Sequence, residues 1–246
     1  MEPLLAIQSL TGGYTNANVL KNISFQVQRG EMVALIGLNG AGKSTTIKHI
    51  IGLMEAKKGN VLIAGDSFAQ APEAYRSHFT YIPETPQLYD ELTLQEHLDL
   101  TAMAYNLEKA DVEKRLPPLL EEFRMEKRLG WFPNHFSKGM KQKVMIMCAL
   151  LVEPNLYIVD EPFLGLDPIG IQSFLTLMEE RKNAGAGILM STHILSTAER
   201  YCDRFVILHD GEIKAFGTLD ELRKQLELPV ATLDDIYLQL TKDAVS

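Results

Sequence analysis

Residues 37–45 read Gly-Leu-Asn-Gly-Ala-Gly-Lys-Ser-Thr, the spacing G-x-x-x-x-G-K-[ST]. Such a loop suits a phosphate chain. Its glycines let backbone N–H groups curl around anionic oxygens, and a helix starting at the lysine adds the partial positive charge of its N-terminus. On this pattern Gly37, Asn39, Gly40, Ala41, Gly42, Lys43, Ser44 and Thr45 are candidate nucleotide-binding positions, with Lys43 reaching the β- and γ-phosphates and the Ser44 hydroxyl free to ligate Mg²⁺. A second constellation follows at Leu156-Tyr157-Ile158-Val159-Asp160-Glu161, four apolar residues running into two carboxylates. A buried strand ending in Asp160 delivers that carboxylate to the C-terminal edge of a sheet, where it suits Mg²⁺. Glu161, one place on, suits positioning and deprotonating an attacking water. A third is Phe136-Ser137-Lys138-Gly139-Met140-Lys141-Gln142, in which Ser137 reads as the N-cap of a helix reaching Leu151 and so as another anion-binding helix start.

These groups need a framework that holds them together. Met32 to Ile36 is nearly continuously apolar, as in a parallel strand buried on both faces, and a helix is expected from Lys43 to Ile51. Further strands are expected at Val61–Ile63, Phe79–Ile82, Leu156–Val159, Ile188–Ser191 and Phe205–Leu208, with helical patterns between several of them. Leu4–Leu10 and Ile23–Val27 alternate like antiparallel strands, and Asp210-Gly211 signals a hairpin leading to Ile213–Phe216. Between Thr85 and His135 the pattern turns helical: Thr93 with Glu96 forms a capping box, while Pro117-Pro118 predicts a broken or kinked helix. Thr218 with Glu221 caps a late helix, and a tail ends in TLDDIYLQLT. The pattern divides as an α/β domain over 1–225, with a core of 1–84 and 136–225, an inserted helical subdomain over 85–135, and a helical tail over 226–246.

Composition narrows the class. The 246 residues carry 24 Lys and Arg against 32 Asp and Glu, a net charge of −8, which argues against a surface built to coat nucleic acid. Cys148 and Cys202 are the two cysteines, outside any metal-ligand spacing, and suggest a reducing compartment. The longest apolar run, Val144–Val152, is far short of the roughly 18 residues a membrane span needs, and the first residues lack a signal-peptide pattern.

The 136–142 segment resembles the signature sequence of ATP-binding-cassette ATPases, and it precedes the carboxylate strand as in that family. The resemblance covers about Leu4 to Phe216. It implies a RecA-like P-loop NTPase fold with a mixed sheet core, an N-terminal antiparallel β subdomain and an inserted helical subdomain. It also implies ATP and Mg²⁺ as cofactors. Tyr14 falls where the family stacks an aromatic on adenine, and Leu164-Gly165-Leu166-Asp167 is similar to the loop that couples two subunits. His193, after Ser191-Thr192, resembles the histidine that senses the γ-phosphate. The resemblance thus implies Lys43, Glu161 and His193 as catalytic residues, Ser137 and Gly139 as contacts to nucleotide, and Ser44, Asp160 and Glu84 as metal ligands. In the family one subunit's phosphate loop faces another's signature loop, so a second cassette subunit is expected. An identical copy is expected, although a different cassette also satisfies the geometry.

The chain departs from the pattern in places. Glu84 stands where a glutamine is usual, Lys138 replaces a glycine, Met140 replaces a glutamine, and Phe163-Leu164 replaces a smaller pair. With Lys43, Asp160, Glu161 and His193 all present, a competent ATPase is expected. FSKGMKQK and the tail are similar to type-2 exporter ATPases, and YIPETPQLYDELTLQEHL is similar to the Ecs-type transporter ATPases of Gram-positive bacteria. This implies a multi-span membrane permease as partner, met on the cytoplasmic face of the cell membrane through Leu88, Tyr89 and Leu92, with export as the direction. The alternative is a soluble cassette ATPase such as an iron–sulfur assembly factor.

Overall fold

A computed structural model describes residues 2–14 and 17–242; residues 1, 15, 16 and 243–246, which include the outer ends of the spans read from sequence, lie outside the described residues. Two sheets form the frame. The first is antiparallel, in the order β2 (Leu20–Val27), β1 (Leu5–Gly12), β4 (Lys58–Ile63), β5 (Asp66–Ser67). The second runs β10 (Glu212–Gly217), β9 (Arg204–His209), β3 (Met32–Ile36), β8 (Gly187–Thr192), β7 (Leu156–Asp160), β6 (Phe79–Ile82), with every pairing parallel except the β9–β10 hairpin.

Strand periodicity sorts the second sheet's side chains onto two cores. Val33, Leu35, Ile158, Leu189, Val206 and Leu208 face the antiparallel sheet and the helix α1 (Lys43–Ile50), meeting Leu5, Ile7, Phe25 and Ile47. Their neighbours Met32, Ala34, Ile36, Tyr157, Val159, Ile188 and Met190 face the other way, into a core of helices. Successive side chains on a strand point to opposite faces, so a strand buried on both is mostly apolar, as β3 is throughout and β7 is until Asp160. Truncating a fully buried member such as Leu35 to Ala costs about 2–5 kcal/mol.

A short helix, α2 (Pro72–Ser77), leads into β6, and the helical side contains α3 (Leu94–Ala104), α4 (Lys109–Phe123), α5 (Lys138–Val152) and α6 (Pro168–Asn183). Thr93 and Glu96 cap α3 reciprocally, and Thr218 and Glu221 do the same for α8 (Leu219–Gln225). The expected break at Pro117-Pro118 does not occur: α4 continues through both prolines. Those prolines are exposed, as are Glu113 and Lys114, whose carbonyls lose their amide partners, so water can satisfy them. Meanwhile Leu116, Leu119, Leu120 and Phe123 hold the helix to the core. Arg115 on α4 donates to the carbonyls of Leu151 (3.1 Å) and Val152 (3.3 Å), closing the C-terminus of α5.

Two further helices complete the second core. Helix α7 (Leu195–Tyr201) follows β8, and α9 (Leu233–Lys242) packs beside it with Leu233 and Ile236 fully buried. The β9–β10 turn wedges between the sheets: Gly211 N–H donates to the Ala41 carbonyl (3.0 Å), and its own carbonyl accepts from Lys21 N–H (2.8 Å). At φ 77°, with a built Cβ only 1.7 Å from the Val19 carbonyl oxygen, position 211 must be glycine. Among the described residues no helix is long and apolar enough to cross a membrane.

Candidate active site

The phosphate-loop sequence leaves the end of β3 and enters α1 through Gly42, whose φ of 113° only glycine adopts without strain. Lys43 is buried, and its Nζ folds back to donate to the Gly37 carbonyl at 2.7 Å. Ser44, one place on, is exposed. Tyr14 lies on the α1 side, where Lys48 Nζ donates to its hydroxyl at 2.8 Å; that bond holds the phenol below its ordinary pKa range.

Strands β7 and β8 lie side by side, so their ends bring the acidic pair and the histidine together. Asp160 is 4 % exposed and accepts from the Ser191 hydroxyl. Burial pushes its carboxyl above the usual range; the Ser191 bond opposes the rise, the charges of Glu84 and Glu161 add to it, and Lys43 opposes it. Glu161 adopts a left-handed backbone (φ 44°), unusual for a residue with a Cβ, and its N–H is held by the Ser191 hydroxyl (3.1 Å) and carbonyl (3.2 Å). Its carboxylate reaches two partners, Lys43 Nζ at 3.6 Å and His193 Nδ1 at 2.8 Å.

Asn39, Lys43, Ser44, Glu84, Glu161 and His193 line one open cleft of about 470 Å³. Asp160 lies at the end of β7 beside Glu161, within electrostatic reach of Glu84 and Lys43. The Ser44 hydroxyl and the Asp160 and Glu84 carboxylates are hard oxygen donors, a set that fits a divalent cation of the Mg²⁺ type. Ser137 and Gly139 are not among the residues lining this cleft. Ser137 caps α5 by accepting from Met140 N–H at 3.3 Å. Gly139 abuts the Gly165 carbonyl so closely that a built Cβ would lie 2.2 Å from its oxygen. Gly165 does line the cleft, so the two loops touch at its rim.

Sequence reasoning assigned no role to Gln142, which is fully buried and donates from Nε2 to the Pro83 carbonyl at 3.2 Å, tying α5 to the loop carrying Glu84. A glutamine on the apolar side of a helix was the available signal, since a buried amide demands a partner. The sequence marks Ser191 only as part of the segment before His193, yet its hydroxyl bonds both Asp160 and Glu161. The Glu84 loop runs on to the exposed Tyr89 and the half-buried Leu88 and Leu92, with exposed Trp131 nearby through its carbonyl's bond to Leu94 N–H (3.0 Å).

A phosphate loop, a paired Asp-Glu strand end and a facing histidine on this sheet order define a P-loop ATPase of the ATP-binding-cassette class. The family described as "ABC transporter" matches residues 20–164, and the chain belongs to it. It is 68% identical to the ABC-type transporter ATP-binding protein EcsA of Bacillus subtilis (strain 168), over 98% of this chain and 97% of that one. It is 34% identical to the SkfA peptide export ATP-binding protein SkfE of the same organism, over 91% and 93% of the two chains. A solved structure described as the ATP-binding subunit of an ABC transporter superposes with a TM-score of 0.95 at 66% identity, covering 97% of this chain and 99% of that one. The protein is therefore an ABC transporter ATP-binding subunit and an ATPase.

Proposed function

We propose that this chain drives translocation by a separate multi-span membrane permease on the cytoplasmic face of the cell membrane, exporting its substrate through ATP-dependent closure of two cassettes. The observation that carries the two-cassette reading is the position of Ser137 and Gly139 outside the cleft holding Lys43 and Glu161. One chain has one phosphate loop and one signature loop, and a second, identical copy supplies the contact that neither makes within the chain. Export is supported by the likeness to SkfE, whose description names peptide export.

In this reading Tyr14 stacks on adenine, and backbone N–H groups of the 37–45 loop, Leu38's apart, hold the phosphates together with Lys43. Ser44, Asp160 and Glu84 would hold Mg²⁺, which when bound neutralises charge on the β- and γ-phosphate oxygens. Phosphates entering the cleft compete with Glu161 for Lys43. Glu161, kept in orientation by His193, is then placed to accept a proton from the attacking water. Leu88, Tyr89 and Leu92 face the permease.

The test is recovery of the tagged Glu161→Gln chain from detergent-solubilised membranes. Stoichiometric co-purification of a multi-span membrane protein is expected; recovery with a soluble partner alone would overturn the transporter role and leave the ATPase chemistry standing.

A further inference from the structure

The tail segment TLDDIYLQLT takes no part in the function described so far, yet it reaches the phosphate loop. The N–H of Leu38, the second residue of that loop, donates to the Tyr237 hydroxyl oxygen at 3.1 Å. Tyr237 is 7% exposed, whereas the Leu38 side chain is 61% exposed on the cleft. The Leu38 amide is thus committed to a protein acceptor on α9.

That acceptor is firmly placed. Thr232 and Asp235 cap α9 reciprocally, Asp235 Oδ2 accepting from Thr232 N–H at 2.9 Å and Thr232 Oγ1 from Asp235 N–H at 3.2 Å. Arg223 Nε donates to the Ala231 carbonyl at 2.8 Å, fixing the approach to the helix. Leu233 N–H donates to Glu199 Oε2 on α7 at 2.7 Å. Helix α7 begins at Leu195, two residues after His193. One short helix is therefore bonded at its first turn to the element that continues from His193, and through Tyr237 to the loop after β3, which lines the same cleft. Burial lifts the Tyr237 phenol above its ordinary pKa range, so it remains a neutral acceptor at physiological pH.

We infer that Tyr237 is a positioning residue for the phosphate loop, holding the loop's start in register for ATP by accepting the Leu38 amide. Tyr237 does not line the cleft. Its contribution acts on nucleotide binding through the loop, and leaves proton transfer at Glu161 unaffected. The inference rests on the reading of residues 37–45 as the ATP-phosphate site.

The test compares the full chain with Tyr237→Phe, which keeps the ring and removes only the acceptor. ATP affinity by equilibrium titration is expected to weaken about fivefold, the worth of one neutral hydrogen bond, with KM rising in parallel and kcat at saturating ATP unchanged within about twofold. Hydrogen exchange at the Leu38 amide is expected to be slower than at Asn39 and Gly40 in the unsubstituted chain and to accelerate in the variant. Unchanged ATP affinity with a lowered Tm or kcat would make Tyr237 a packing residue and overturn the inference. So would equal exchange at Leu38, Asn39 and Gly40 in the unsubstituted chain. Failure of the unsubstituted chain itself to bind ATP would instead sink the assignment of the loop, and this inference with it.

Discussion

His193 Nδ1 lies 2.8 Å from Oε2 of Glu161, a contact made across two neighbouring strand ends. The left-handed backbone at Glu161 and the double hold of Ser191 on its N–H aim the carboxylate at that histidine and at Lys43. In the function proposed above, hydrolysis turns on this carboxylate. Glu161→Gln is expected to lower kcat about 10²–10⁴-fold while ATP still binds, and His193→Ala to lower it by a smaller factor. Phosphate release with Mg²⁺-ATP reads both; a Glu161→Gln chain that turns over like the unsubstituted one would remove the general-base role.

Asp160 sets function against stability. Burial raises its carboxyl pKa in the folded chain above the unfolded value. The stability linked to this group is then fully present below the unfolded pKa and is lost as pH rises through the folded pKa. Asp160→Asn keeps an acceptor for the Ser191 hydroxyl and removes the buried charge. Thermal unfolding in EDTA should show the variant with a higher Tm near pH 7, at about 2–4 °C per kcal/mol for a chain of this size. The advantage should vanish as pH falls below the ordinary carboxylate range. Mg²⁺-dependent hydrolysis should be lost.

Gly139→Ala brings a Cβ to 2.2 Å from the Gly165 carbonyl oxygen, with backbone on both sides. A cost of about 1–3 kcal/mol in folding stability is expected as the two loops separate. On the proposed function, which assigns ATP binding to residues 37–45 and a partner's nucleotide to the signature loop, ATP affinity should hold, whereas phosphate release should fall at least about tenfold. Calorimetric titration and a phosphate assay separate the two, and unimpaired release would leave Gly139 as a packing residue only.

Tyr89 is 62% exposed, although its backbone N–H is bonded to His97 Nε2 at 3.0 Å. Its backbone is anchored and its ring stacks on His97, with centroids 6.2 Å apart, leaving the rest of the exposed ring to meet another surface. Tyr89→Glu should leave the ATPase of the isolated chain unaltered and cut its recovery with membranes; equal recovery would place the permease contact elsewhere.

Local patterns in the sequence carried much of this. Burial on both faces of β3, β7 and β8 follows from their apolar runs, and the capping boxes at Thr93–Glu96 and Thr218–Glu221 form where their spacing says. Contacts between distant segments were not legible. Nothing in residues 136–142 announces that Gly139 meets Gly165, and Leu38 and Tyr237 are separated by 199 positions. The prolines of α4 do not end the helix; both lie on the wet face, as do Glu113 and Lys114, whose carbonyls lose their amide partners.

Gly211 gives the β9–β10 turn a significance that its Asp-Gly signature does not suggest. Its N–H bonds the phosphate loop at Ala41 and its carbonyl bonds β2 at Lys21, so one residue is the mortise between two sheets and a binding loop. A turn of this kind usually tolerates insertions, tags and fusions, because nothing inward depends on its path. In this chain the same hairpin is a poor place to splice: lengthening it would pull a brace from behind the phosphate loop, and an apparently peripheral edit would register as weakened nucleotide binding.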